Sequence, residues 1–66
     1  MKIKYKHISF EEYGDGKFYI CNNNDGIILG ATKYYDNWNQ WVFYPVNNAL
    51  FSKSCLLDIA DFLNQL

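Results

Sequence analysis

The sequence predicts an α+β domain: an antiparallel sheet of three to four strands packed on one C-terminal α-helix, in the order β-β-β-β-α. Three observations carry this. Short runs of strand-forming residues alternate with Asp-Gly and Asn-rich turn sequences through the first two thirds of the chain. From Cys55 onward the apolar residues switch to three- and four-residue spacing. The turns between the runs are too short for the crossover that a parallel pair requires, so the strands are expected to pair antiparallel.

The first strand is expected over Lys2–Phe10, where Lys2, Lys4 and Lys6 alternate with Ile3, Tyr5 and His7. Tyr13-Gly14-Asp15-Gly16 then supplies residues that tolerate positive φ in a tight turn. A second strand over Lys17–Asn22 sets Phe18 and Ile20 against Tyr19 and Cys21 and ends in the turn formers Asn22 to Gly26. The third strand is expected over Ile27–Tyr35, with Gly30 marking a bulge or the close approach of a backbone or a large ring. After Asp36-Asn37, the fourth strand spans Trp38–Tyr44 and stops at Pro45, which has no N–H for the ladder. The loop Val46–Phe51 leads to a helix with Ser52 or Ser54 as its N-cap. Cys55, Leu56, Ile59, Phe62, Leu63 and Leu66 share its sheet-facing stripe, and Lys53, Asp58, Asp61, Asn64 and Gln65 form a solvated face.

A chain of 66 residues has room for one core, so residues 1–66 are read as a single domain. Hydrophobic residues make up 50% of it and aromatics 20%, enough for a ring-rich core in so small a chain. The net charge is −1 and there is no arginine, which weighs against a protein that grips nucleic acid by its phosphates. Nothing before Lys2 resembles a secretory signal, so Cys21 and Cys55 are expected as reduced, buried thiols in a cytoplasmic protein. The sequence contains no apolar run long enough to span a membrane.

The chemistry-bearing residues are few. His7 is the one histidine, and neither it nor the two cysteines have the spacing of zinc ligands. A His7–Cys55 pair has no evident oxyanion loop beside it. The four glycines do not form a phosphate-cradling loop, and the neighbouring Glu11 and Glu12 point to opposite sides of an extended chain. The expectation is therefore a protein that is not an enzyme and needs no cofactor or metal.

What remains is surface. One helix covers one face of the sheet, and nothing else in the chain is expected to cover the other. With Trp41 and Phe43 packed under the helix, Trp38, Gln40, Val42 and Tyr44 fall on the open face, joined by Tyr34 or Tyr35 from the neighbouring strand. Such a set either shields the back of a thin sheet or meets a partner, since exposed Trp and Tyr interleaved with amides are typical of protein interfaces. The candidate partner-binding residues are thus Trp38, Gln40, Tyr44, Tyr34 and Tyr35. Stacking of single-stranded nucleic acid, helped by Lys2, Lys4, Lys6 and Lys33, is the alternative. Self-association through the open face or an edge strand is a third use of the same surface.

The stretch Gly30–Leu66, with Trp38-Asn39-Gln40-Trp41-Val42-Phe43-Tyr44-Pro45 followed by Phe51-Ser52, Cys55-Leu56, Asp58-Ile59 and Phe62-Leu63, resembles a pattern in small, mostly uncharacterised phage and prophage proteins. The resemblance implies a phage-encoded protein working in the host cytoplasm. Because compact phage proteins without catalytic residues often act by binding and blocking a host protein, the expectation is a stoichiometric binder of a host or phage protein, such as an inhibitor of a CRISPR effector or restriction enzyme.

Overall fold

A computed structural model describes all of residues 1–66. Four strands, β1 (Ile8–Gly14), β2 (Lys17–Asn22), β3 (Ile28–Tyr35) and β4 (Gln40–Pro45), form one antiparallel sheet in the order β1-β2-β3-β4. A single helix, α1 (Lys53–Leu63), follows. The α+β class and the β-β-β-β-α order are as the sequence predicts. Each strand pairs with its sequence neighbour because each connection is a tight turn. Gly16, at φ 68°, supplies the left-handed residue of the first turn.

The core forms where the sheet meets the helix. Ile8, Phe10, Phe18, Ile20 and Thr32 from the sheet, with Ile59 and Phe62 from the helix, are buried. Phe62 stacks on Phe10 with ring centroids 3.8 Å apart and meets Phe18 edge-on at 4.9 Å. At the other end of the helix, Phe51 meets Phe43 of β4 edge-on at 5.1 Å. The helix therefore lies obliquely, its start against β4 and its end over β1 and β2. Each fully buried Phe or Ile stabilises the fold by about 1.5–3 kcal/mol relative to an exposed one. Ser52 is the N-cap: its hydroxyl accepts from the Cys55 N–H at 3.2 Å, and Ser54 only hydrogen-bonds to the Ser52 hydroxyl.

Gly30 sits where rings and backbone crowd. A Cβ there would stand 2.5 Å from the Tyr44 carbonyl oxygen and 2.6 Å from the Phe43 ring. Close approach, rather than a bulge, therefore explains this glycine. The bulge falls beside it, where Cys21 pairs with Ile28 directly after Ile20 pairs with Gly30.

Several expectations need correction. The first strand begins at Ile8, not Lys2. Alternation in Lys2–His7 puts odd-numbered apolar residues on one face, but the buried pair Ile8 and Phe10 is even-numbered. The phase breaks at His7, and the chain turns there. Ile3–Tyr5 folds back along β1: the Tyr5 N–H donates to the Ile8 carbonyl, the Phe10 N–H donates to the Ile3 carbonyl, and Lys4 bridges Ser9. The Asn23 side chain holds the turn by donating to the carbonyls of Tyr5 and Lys6 and pairing with the Ser9 hydroxyl. His7 is thus exposed in a bend and not on a strand.

Leu56, expected on the buried stripe, is half exposed, and Leu57 is 60% exposed, because the helix contacts the sheet along Cys55, Ile59, Phe62 and Leu63. Asp61 is more than a solvated charge: it accepts a 2.8 Å hydrogen bond from the Tyr5 hydroxyl. Gln65 reinforces this tie by accepting from the Lys2 N–H and donating to the Lys2 carbonyl, both at 2.7 Å. The N-terminal segment is thereby fastened to the end of the helix.

Thr32 is buried with its hydroxyl unpartnered, which costs about 1–3 kcal/mol relative to an apolar group of the same shape. Thr32→Val should therefore raise the urea midpoint, whereas Phe62→Ala should cost about 3–5 kcal/mol, a large share of what so short a chain commands. A Thr32→Val protein less stable than the wild type would contradict the unpaired hydroxyl. The Tyr5 phenol is pushed up to about 12 from 10.0, first by burial and then by its bond to Asp61 and the charges of Asp61 and Asp58. The fold thus favours the neutral phenol, so this stabilisation is complete below pH 10 and disappears as pH rises through the interval to about 12. Unfolding of wild type and Tyr5→Phe across that interval checks this: the wild type should lose more stability, and equal losses would refute it.

Candidate functional site

The register assigns every strand residue to a face. Thr32 pairs with Phe43 and Tyr34 with Trp41, so Trp41, Phe43 and Tyr34 share the helix side with Phe18 and Ile20. Ala31 pairs with Tyr44, Lys33 with Val42 and Tyr35 with Gln40, which places Tyr35, Gln40, Val42 and Tyr44 on the side the helix leaves bare. Of the two tyrosines expected to join the open face, Tyr35 is therefore there and Tyr34 is not. Tyr34 lies on the helix side, edge-on to Trp41 at 5.4 Å. Trp41 itself is not under the helix: it is half-buried near the end of the sheet, its ring packed over Gly16.

Trp38 is not in β4 but in the turn before it, where Asn39 takes φ 51°. The Trp38 ring meets Tyr35 edge-on at 5.0 Å and stays 65% exposed. A shallow apolar pocket of about 250 Å³ lies along β4, lined by Tyr35, Trp38, Val42, Phe43 and Tyr44. Trp38, Tyr35 and Tyr44, three of the predicted contact residues, thus line one concavity, and Gln40 lies on the same face. One cation stands beside it, with Lys33 Nζ 4.5 Å from the centre of the Tyr44 ring.

Two further rings extend the face. Tyr13 and Tyr19 stack at 4.0 Å on β1 and β2, across from Tyr44 with the small Ala31 between. Tyr19 was legible in the sequence, since it alternates with the buried Phe18 and Ile20 in Lys17–Asn22. Tyr13 was hidden by its place beside the turn, where the register shifts between Glu12 and Gly14. Charges on this face are sparse, with Glu11, Lys17 and Lys33 among the rings.

The two thiols lie apart, Cys21 on β2 and Cys55 on the helix. Cys21 is half-buried, and burial, aided by the Glu11 charge, pushes its thiol up, so it is protonated at neutral pH and a weak nucleophile. Cys55 packs against the core at the start of the helix, far along the chain from exposed His7. No helix is long and apolar enough to cross a membrane. Compared with protein-family models, curated proteins and solved structures, the chain matches none.

The geometry separates two tryptophan neighbourhoods. Trp38→Ala should shift stability by less than about 1 kcal/mol, because the ring is mostly in solvent. Gly16→Ala should cost more, since the residue would take φ 68° and its Cβ would stand 2.8 Å from the Trp41 ring. Urea unfolding of the two variants tests this, and a larger loss for Trp38→Ala would mean that Trp38 is structural.

Proposed function

We propose that the chain is a non-catalytic protein-binding module whose contact surface is the open face at β3 and β4. The observation that supports this most is the concavity along β4 lined by Tyr35, Trp38, Val42, Phe43 and Tyr44, of which Tyr35, Val42 and Tyr44 lie on the side without a helix. Trp and Tyr give large contact area while losing little side-chain entropy, and pockets between such rings accept the anchor residues of a partner. Gln40 on the same face can hydrogen-bond to a partner backbone. The protonated Cys21 thiol fits binding better than nucleophilic catalysis.

The resemblance of Gly30–Leu66 to small phage proteins suggests the setting: a host cytoplasm, and a host defence protein, such as a CRISPR effector or restriction enzyme, blocked by stoichiometric binding. The nucleic-acid alternative draws on one feature, Lys33 beside Tyr44, and is opposed by the net charge of −1 and the absence of arginine.

Immobilised wild type should capture one protein at high salt, and Trp38→Ala and Tyr44→Ala should each weaken that capture tenfold or more, about 1.4 kcal/mol or above. Binding of a single-stranded oligonucleotide that collapses as salt rises, with no protein captured, would reverse the order of the two readings.

A further inference from the structure

The two edges of the sheet are treated differently. On β1, the Asn23 N–H donates to the His7 carbonyl, so in the two-residue alternation of an antiparallel ladder Ile8, Phe10 and Glu12 direct their backbone groups outward. The chain's own Ile3–Tyr5 takes up the Ile8 carbonyl and the Phe10 N–H. Past that point a register shift and the paired charges Glu11 and Glu12 guard the strand. On β4, the Val46 N–H donates to the Leu29 carbonyl, so Gln40, Val42 and Tyr44 face β3 while Trp41 and Phe43 turn their N–H and C=O groups outward. Nothing in the chain covers them. From Gln40 to Pro45 there is no charged side chain, and the only guard is the missing N–H of Pro45 at the end.

We propose that β4 is a dimerisation edge, through which two copies pair antiparallel about a two-fold axis at Val42 and merge their sheets. In that register Trp41 faces Phe43 of the second copy and each exchanges both backbone hydrogen bonds with the other, which satisfies every outward group of the two residues. Pro45 then falls opposite Asn39, whose φ of 51° already takes it out of the strand, so the missing proline N–H is not needed. Centring the axis on Phe43 instead would set Pro45 against Trp41 and leave a Trp41 carbonyl without a donor. Proline therefore selects the register. It also brings like with complementary: Gln40 meets Tyr44, Val42 meets Val42, and the exposed Trp38 comes beside the exposed Val46.

Because the strand is uncharged, its pairing with a second copy opposes no like charges, which a charged edge would do. The flanking side chains offer several hundred Å² a side, with Trp38 65%, Val46 42% and Tyr44 37% exposed and a Trp or Tyr ring carrying roughly 150–250 Å². That is below the roughly 600 Å² a side at which specific interfaces begin, so the dimer is weak and reversible and its population depends on concentration. The inference goes beyond the binding face proposed above, since its specificity comes from the backbone edge of β4, although Trp38 and Tyr44 flank both surfaces.

Sedimentation of wild type and Val42→Glu over a concentration series tests it. The substitution is tolerated by the monomer because Lys33 sits opposite Val42 on β3, whereas two copies would bring two carboxylates together on the axis. Wild type should pass from 7.8 kDa to twice that mass as concentration rises, and Val42→Glu, with an unchanged amide NMR fingerprint away from β4, should dimerise at least tenfold more weakly. A wild type that stays monomeric into the millimolar range overturns the proposal; a dimer indifferent to Val42→Glu overturns it too. A monomer that still captures a protein through Trp38 overturns the dimer alone and leaves the binding face standing.

Discussion

The fold depends on Phe62. Its ring is fully buried, stacked on Phe10 and edge-on to Phe18, and it is the point at which the only helix grips the only sheet. Everything else in the core is arranged around that contact: Ile59 one turn earlier, Ile8 and Ile20 on the neighbouring strands, and Tyr5 edge-on to Phe10 from the side. The edge-to-face contact with Phe18 adds a directional term to plain burial, so the contact fixes the angle of the helix as well as its attachment. A chain with so few fully buried side chains has little redundancy, and losing this ring removes the reason for the helix to sit where it does.

Gripping one face leaves the other bare. Because the helix ends over β1 and β2 and starts against β4, it draws the buried rings to one side and leaves Tyr35, Gln40, Val42 and Tyr44 directed into solvent, with Trp38 in the adjoining turn. The same economy applies at the sheet edges. The N-terminal segment, fastened to the helix by Tyr5–Asp61 and Lys2–Gln65, spends its backbone groups on β1. Within residues 1–66 no segment does the same for β4. An apolar concavity and an unguarded strand thus fall side by side as consequences of one helix and one short N-terminal arm.

How much of this the sequence disclosed depends on how local each signal is. Lys17–Asn22 was legible to the residue, since alternation and flanking turn formers agree there. The helix was legible from its three- and four-residue spacing, apart from Leu56, whose exposure reflects the angle of docking rather than any property of the helix, and the choice of Ser52 over Ser54 as its cap needed the structure. The N-terminal strand was misplaced because alternation specifies extension but not where the chain folds back; the reversal depends on Asn23, which is distant in sequence. At the site, Gln40 and Tyr44 followed from parity, but the choice between Tyr34 and Tyr35 required the register of β3 against β4. Tyr13 became part of the face only through its stack on Tyr19.

The central claim is that β4 has an open, unpaired edge beside the ring-lined face, and amide hydrogen exchange read residue by residue in dilute solution tests it most directly. The account predicts alternation, with the amides of Gln40, Val42 and Tyr44 protected by β3 and those of Trp41 and Phe43 exchanging quickly. Uniform protection along the strand in dilute monomer would contradict it.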